Sequence, residues 1–144
     1  MKNFIHTYIY PCYTRLWVER FWQIKEGDIV VDAGAYLGGF AIYTARKVGH
    51  TGKVICFEPD PNNLKVLKKN VSKSGYKNIS VVGKTLGKEK GEVAIESSNH
   101  FSSSVIKTGK GSLNIVVQTT LDEELKKLNV DNVDLIKMNI EGSE

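Results

Sequence analysis

The sequence predicts an α/β protein with a Rossmann-like, doubly wound and mostly parallel sheet. Two short apolar runs, residues 29–31 and 54–57, each end at a carboxylate, Asp32 and Glu58. Unbroken apolar runs of that length suit strands covered on both faces of a parallel sheet. The first run leads through a glycine turn into helical spacing from Phe40 to Val48, and the second through Pro59-Asp60-Pro61 into another helix. With a third run at 79–82, residues 27–82 read β-α-β-α-β, half of a doubly wound sheet with right-handed crossovers.

Residues 1–26 form an aromatic N-terminal segment ahead of the α/β domain at 27–144. Phe4, Tyr8, Tyr10, Tyr13, Trp17, Phe21 and Trp22 crowd it. Leu16, Trp17, Phe21 and Ile24 recur at helical spacing, predicting a helix over about 13–23. Packing on the sheet or its edge is the plain role for this helix. A lid over the ligand site is a sharper alternative. An interfacial membrane helix, using Arg15 and Arg20, is a third.

The first turn reads Asp32-Ala33-Gly34-Ala35-Tyr36-Leu37-Gly38. A strand, a tight turn and a helix start in that order leave free N–H groups and the positive end of the helix dipole facing a hollow. A dinucleotide turn, G-x-G-x-x-G, needs its second glycine where this chain has Tyr36, whose ring would crowd a pyrophosphate. A ligand with one carboxylate, an ammonium and a sulfonium suits the turn better, its anion at the helix end and its cation near Asp32. S-adenosylmethionine carries those groups. Glu58 lies 20 residues beyond Gly38, where nucleotide-binding α/β folds place an acid on the ribose hydroxyls. That acid suits either nucleoside, and a solvent-facing strand-end glutamate is its plain alternative.

In the second helix Asp60 is the expected N-cap and Pro61 the first helical residue; Leu64, Leu67 and Val71 form the buried stripe, and Gly75 ends it. Residues 83–87 then form a loop expected near an adenine. From 91 to 119 short alternating runs separated by Ser, Gly and Asn predict an inserted antiparallel β segment. Thr120 to Glu123 fits a capping box opening a helix over 121–128, and residues 133–140 form a fourth parallel-type strand.

The 144 residues suffice for one domain, with 41% hydrophobic and 25% charged residues. The net charge of +4 comes from lysine spread over helices and turns, while arginine is confined to positions 15, 20 and 46. Solvated faces explain that pattern, and no nucleic-acid partner is expected. Cys12 and Cys56 make no disulfide framework. No run is long enough for stable membrane insertion and the N-terminus lacks a signal peptide's apolar core, so a cytoplasmic protein is expected. His6, His50 and His100 show no ligand spacing, so no metal is expected.

Four stretches resemble the FkbM-type methyltransferases, enzymes of the class I S-adenosylmethionine-dependent fold. They are V-V-D-A-G-A-Y-L-G-G-F at 30–40, F-E-P-D-P-N-N-L at 57–64, T-L-D-E-E-L at 120–125 and V-D-L-I-K-M-N-I-E-G-S-E at 133–144. The resemblance implies S-adenosylmethionine as cofactor. It implies Asp32, Gly34, Ala35 and Gly38 around its methionine part, Glu58 on its ribose, and Asn139 to Glu144 facing the methyl group and acceptor; Ala33, Tyr36, Pro59 and Asn139 are further candidates for binding the cofactor. The family usually has Asp where this chain has Asn139. The class I fold calls for three further strands after the fourth, so the chain is expected to be the cofactor-binding part, with an open sheet edge available for self-association.

The expected reaction is in-line displacement at the sulfonium methyl by a hydroxyl of a small molecule, sugar or glycan. Such a hydroxyl benefits from a general base. Glu141 is the first candidate and Glu144 the second; exposed end-of-chain carboxylates are the alternative reading. An exocyclic-amine methyltransferase of nucleic acid would carry an N/D-P-P-aromatic turn where this chain has Asn139-Ile140-Glu141-Gly142. A non-catalytic cofactor-binding or interaction module, and an NAD-binding oxidoreductase domain, are the rival functions.

Overall fold

The computed structural model describes residues 23–97, 103–104 and 112–140. The expected helix at 13–23 falls almost wholly outside the described residues, as do His6, Cys12, His100, Glu141 and Glu144. In chain order the elements are β1 (Ile29–Ala33), α1 (Gly39–Val48), β2 (Lys53–Phe57), α2 (Pro61–Ser74), β3 (Ile79–Val82), β4 (Thr85–Leu86), β5 (Gly91–Ser97), β6 (Ser103–Ser104), β7 (Ser112–Thr119), α3 (Leu121–Lys127) and β8 (Leu135–Met138). Among them no helix is long and apolar enough to cross a membrane.

The main sheet is parallel throughout, in the order β3-β2-β1-β8. Its central strands are covered on both faces, as their unbroken apolar runs require. Alternation sends Val30, Val54 and Cys56 to one face, against Phe40, Ala41, Ala45 and Val48 of α1 and Leu67 of α2. Val31, Ala33, Ile55 and Phe57 go to the other, against Leu86, Val130 and the apolar side of α3. The sheet is therefore wound on both sides.

The helix signals operate as read. The Asp60 carboxylate accepts the N–H groups of Asn62 and Asn63 at 2.8 and 3.0 Å, Pro61 opens α2, and Gly75 closes it at φ 78°. Thr120 caps α3 by accepting the Glu123 N–H at 3.3 Å. Glu123 itself pairs with Lys90 at 2.9 Å and Lys127 at 3.0 Å.

The inserted segment is an antiparallel hairpin of β5 and β7, running in register from Gly91 opposite Gln118 to Ser97 opposite Ser112. Residues 83–87 depart from the expected loop. Thr85 and Leu86 are buried and form β4, which pairs in parallel with Gln118 and Thr119 of β7. A two-residue strand has no periodicity to read, and its pairing arises from a partner 33 residues away. The hairpin is thereby joined to the carboxyl end of β3.

Glu124 fastens this layer. Its carboxylate accepts hydrogen bonds from Lys84 and Lys127, both at 2.8 Å, and from the Thr119 hydroxyl at 3.0 Å. Burial alone would raise its pKa, but these bonds and the Lys84 charge hold it down to about 2.

Removing the fully buried Leu67 side chain by Leu67→Ala is expected to cost about 2–5 kcal/mol, against less than about 1 kcal/mol for Val66→Ala on the exposed face; urea unfolding reads both. The stabilisation carried by ionised Glu124 is complete above its ordinary pKa of 4.5 and fades as the pH falls toward 2. Unfolding at pH 5 and pH 3 should therefore show a smaller acid loss for Glu124→Gln than for the parent chain.

Candidate functional site

Parallel pairing brings the carboxyl ends of β1, β2 and β8 to one edge of the sheet, and the candidate residues meet there. The chain leaves β1 through Gly34 at φ 76°, with the N–H groups of Gly34 and Ala35 both donating to the Phe57 carbonyl at 3.0 Å. The Gly38 N–H returns to the Ala35 carbonyl at 2.9 Å, and Tyr36 and Gly38 also take left-handed backbone, at φ 52° and 86°. The turn is anchored from α2 by the Asn70 amide, which donates to the Leu37 carbonyl at 2.8 Å.

Two contacts explain the glycines. A Cβ on Gly34 would lie 2.0 Å from the Asn139 carbonyl oxygen, because the chain leaving β8 runs directly against the turn. The Asn139 N–H donates to the Ala33 carbonyl at 2.9 Å, fixing that approach. A Cβ on Gly38 would lie 2.5 Å from Leu67 Cδ1. Gly38 is also the N-cap of α1 and supplies no side-chain cap. The first N–H groups of α1 thus lack the side-chain acceptor that α2 and α3 possess, which is the local electrostatics of an anion site.

Glu58 stands at the tip of β2, 4% exposed. Its Oε2 accepts the Tyr36 N–H at 2.7 Å and its Oε1 the Asp60 N–H at 3.0 Å. The carboxylate therefore ties the first turn to the second. Burial pushes its pKa up to about 7 although both N–H groups and a hydrogen bond from the Asn63 side chain favour the charged form. Pro59, half-buried, follows it.

Asp32 departs from the picture of a charge open to a ligand. It is 0% exposed, and Oδ1 accepts Lys137 Nζ at 2.8 Å. The same ammonium donates to the Gly34 carbonyl at 3.1 Å and lies 5.8 Å from the centroid of the Phe40 ring. Sheet register is the cause, since Asp32 lies opposite Lys137 on one side and Cys56 on the other, facing α1. Burial raises the Asp32 pKa, and the Lys137 charge and hydrogen bond oppose that rise. Asp32 Oδ2 is buried with no hydrogen-bond partner among the described residues.

Asp32, Ala33, Gly34, Ala35, Tyr36, Gly38, Glu58, Pro59 and Asn139 are thus assembled at one end of the sheet. Lys137 and Asn70 were missed by sequence reasoning. Lys137 had a signal, a lone charge in the otherwise apolar strand Leu135-Ile136-Lys137-Met138. Asn70 had none, being one polar position among many on α2. A cavity of about 730 Å³ opens at the opposite end of the sheet, lined in part by Arg46, His50, Lys53 and Lys77, and touches none of these residues. The carboxyl ends of α1 and α2 meet there, and basic side chains complement such ends. Among the described residues no three His, Cys, Asp or Glu side chains converge as a metal site would require.

The Methyltransferase FkbM domain model matches residues 32–144. Over 52 residues, 36% of the chain, the sequence is 42% identical to a tRNA (adenine(57)-N(1)/adenine(58)-N(1))-methyltransferase of Methanocaldococcus jannaschii, of which it covers 18%. Over 60 residues, 42% of the chain, it is 36% identical to protein-L-isoaspartate O-methyltransferase 1 of Archaeoglobus fulgidus, of which it covers 28%. The crystal structure of Methyltransferase FkbM from Methylobacillus flagellatus KT superposes on 86% of this chain with a TM-score of 0.58, at 22% identity, a likeness of fold. The chain spans 28% of that structure and between 18% and 28% of those two relatives.

The two kinds of glycine constraint are separable. Gly75→Ala, where a Cβ meets open space at φ 78°, is expected to cost about 1–2 kcal/mol of backbone strain. Gly34→Ala adds a collision with backbone and should cost at least twice as much, read by urea unfolding of both variants.

Proposed function

The chain belongs to the Methyltransferase FkbM domain family, and from that premise we propose that it holds S-adenosylmethionine at the β1–α1 turn for methylation of a hydroxyl on a small molecule, sugar or glycan. The observation that carries this reading is the pairing of an uncapped helix start with a buried carboxylate at the neighbouring strand tip. The residues present fit the group. Gly34 and Gly38 let the turn pack against the Asn139 backbone and Leu67, which holds the start of α1 in place, and the α1 N–H groups suit a carboxylate. In this reading Ala33, Ala35 and Tyr36 border the methionine part and Pro59 the ribose.

Glu58 is the residue for the ribose hydroxyls. Its carboxylate accepts the Tyr36 and Asp60 N–H groups and the Asn63 side chain, and a carboxylate has acceptor sites beyond those three for a diol. Tyr36 stands where a dinucleotide turn has its second glycine, which favours the sulfonium nucleoside over NAD. When bound, the cofactor supplies an electrophilic methyl group on sulfur. The chain's own work is to hold and orient, which in well-aligned reactions is worth about 7–11 kcal/mol of barrier.

Asn139 leaves β8 beside the turn and offers an amide, able to donate and accept, where a carboxylate would carry charge. Glu141 is our first candidate for taking the acceptor's proton and Glu144 the second, both following closely on the strand that meets the turn. The scarcity of arginine and the Asn139-Ile140-Glu141-Gly142 run support an acceptor other than nucleic acid.

Titration calorimetry with S-adenosylhomocysteine tests the reading. The folded chain should bind it and prefer it to NAD; absence of heat from a folded sample overturns the proposal. Ionised Glu58 is the better acceptor for a diol, so affinity should rise with pH through about 7. Glu58→Gln should weaken binding roughly tenfold at pH 8 and flatten the pH dependence.

A further inference from the structure

Lys137 lies inside the fourth family stretch but has no role in the reading above, and its environment is specific. Its side chain is 14% exposed, its ammonium meets a carboxylate that is 0% exposed, and it also holds the Gly34 carbonyl. A lysine in a parallel strand could place its charge in solvent; this one turns inward, beneath the first turn of the site. The pair formed has no net charge. Nearby Cys56 adds none, since burial and then the Asp32 charge push its thiol pKa well up.

We propose that Lys137 tunes the charge selectivity of the site by cancelling the field of Asp32, so that Asp32 does not itself discriminate for or against a ligand's net positive charge. The inference rests on the cofactor reading above and deepens it. S-adenosylmethionine carries one positive charge more than S-adenosylhomocysteine, the sulfonium. With Asp32 unbalanced, the charged cofactor would be favoured over its own product; with Lys137 unbalanced, it would be disfavoured. The observed pair does neither. Lys137 is thus a positioning residue that acts through Asp32 and Gly34.

The test is the ratio of dissociation constants for the two ligands, because loosening the turn weakens both alike and leaves the ratio unmoved. In Asp32→Asn the ammonium loses its counter-charge, and the ratio should shift against S-adenosylmethionine by roughly five- to tenfold. In Asp32→Asn/Lys137→Gln both charges are gone, an amide can still bridge to the Gly34 carbonyl, and the ratio should return to the parent value. Thermal unfolding of each variant shows that it is folded.

A ratio unchanged in Asp32→Asn overturns the inference. So does a double variant that stays as biased as the single one, since Asp32 would then be holding the ligand's cation directly. A parent chain that binds neither ligand fails the cofactor reading itself, and is thereby told apart from a failure confined to Lys137.

Discussion

The close approach of two backbones, at Gly34 and Asn139, is the constraint on which the rest of the site depends. The exit of β8 can press on the exit of β1 only because Gly34 has no Cβ, and the Asn139 N–H bond to the Ala33 carbonyl keeps it there. That contact brings the chain after the fourth strand against the turn opening α1. The Lys137 bonds to Asp32 and Gly34 stitch the same two strands two residue pairs earlier. A residue such as Asn139, far from the turn in sequence, becomes part of its wall.

The two strand-tip acids solve the same problem in different ways. Each is almost fully buried, and burying a bare carboxylate is costly unless something opposes it. Asp32 is balanced by a lysine from the neighbouring strand, a charge-for-charge solution that leaves little field outside the pair. Glu58 is balanced by two backbone N–H groups and the Asn63 side-chain amide, which are dipoles and cancel no charge. Its pKa accordingly climbs to about 7. Two acids that look equivalent in sequence therefore have different chemistry: one is paired with a lysine, the other is a carboxyl that titrates near 7.

The elements legible in advance were those with strong local signals. Asp60-Pro61 and Gly75 bracketed α2 because caps and stops act through neighbouring backbone groups. The runs at β1 and β2 were legible because strands buried on both faces admit only apolar residues along several positions. β4 was illegible, since Thr85 and Leu86 become a strand only by meeting β7. The inward turn of Lys137 was half-legible: a charge in an apolar strand stands out, yet nothing local says whether it faces solvent or Asp32.

Taken alone, the order of residues determined the α/β class, the glycine turn with its two acids, and the family motifs, because these depend on periodicity and on spacing along the chain. Register was left to the tertiary structure. Which residue of β8 lies opposite Asp32, and how near Asn139 comes to Gly34, follow from the pairing of strands about a hundred residues apart, and no local preference encodes that alignment. Only the packed sheet could decide that the first acid is neutralised while the second remains free to titrate.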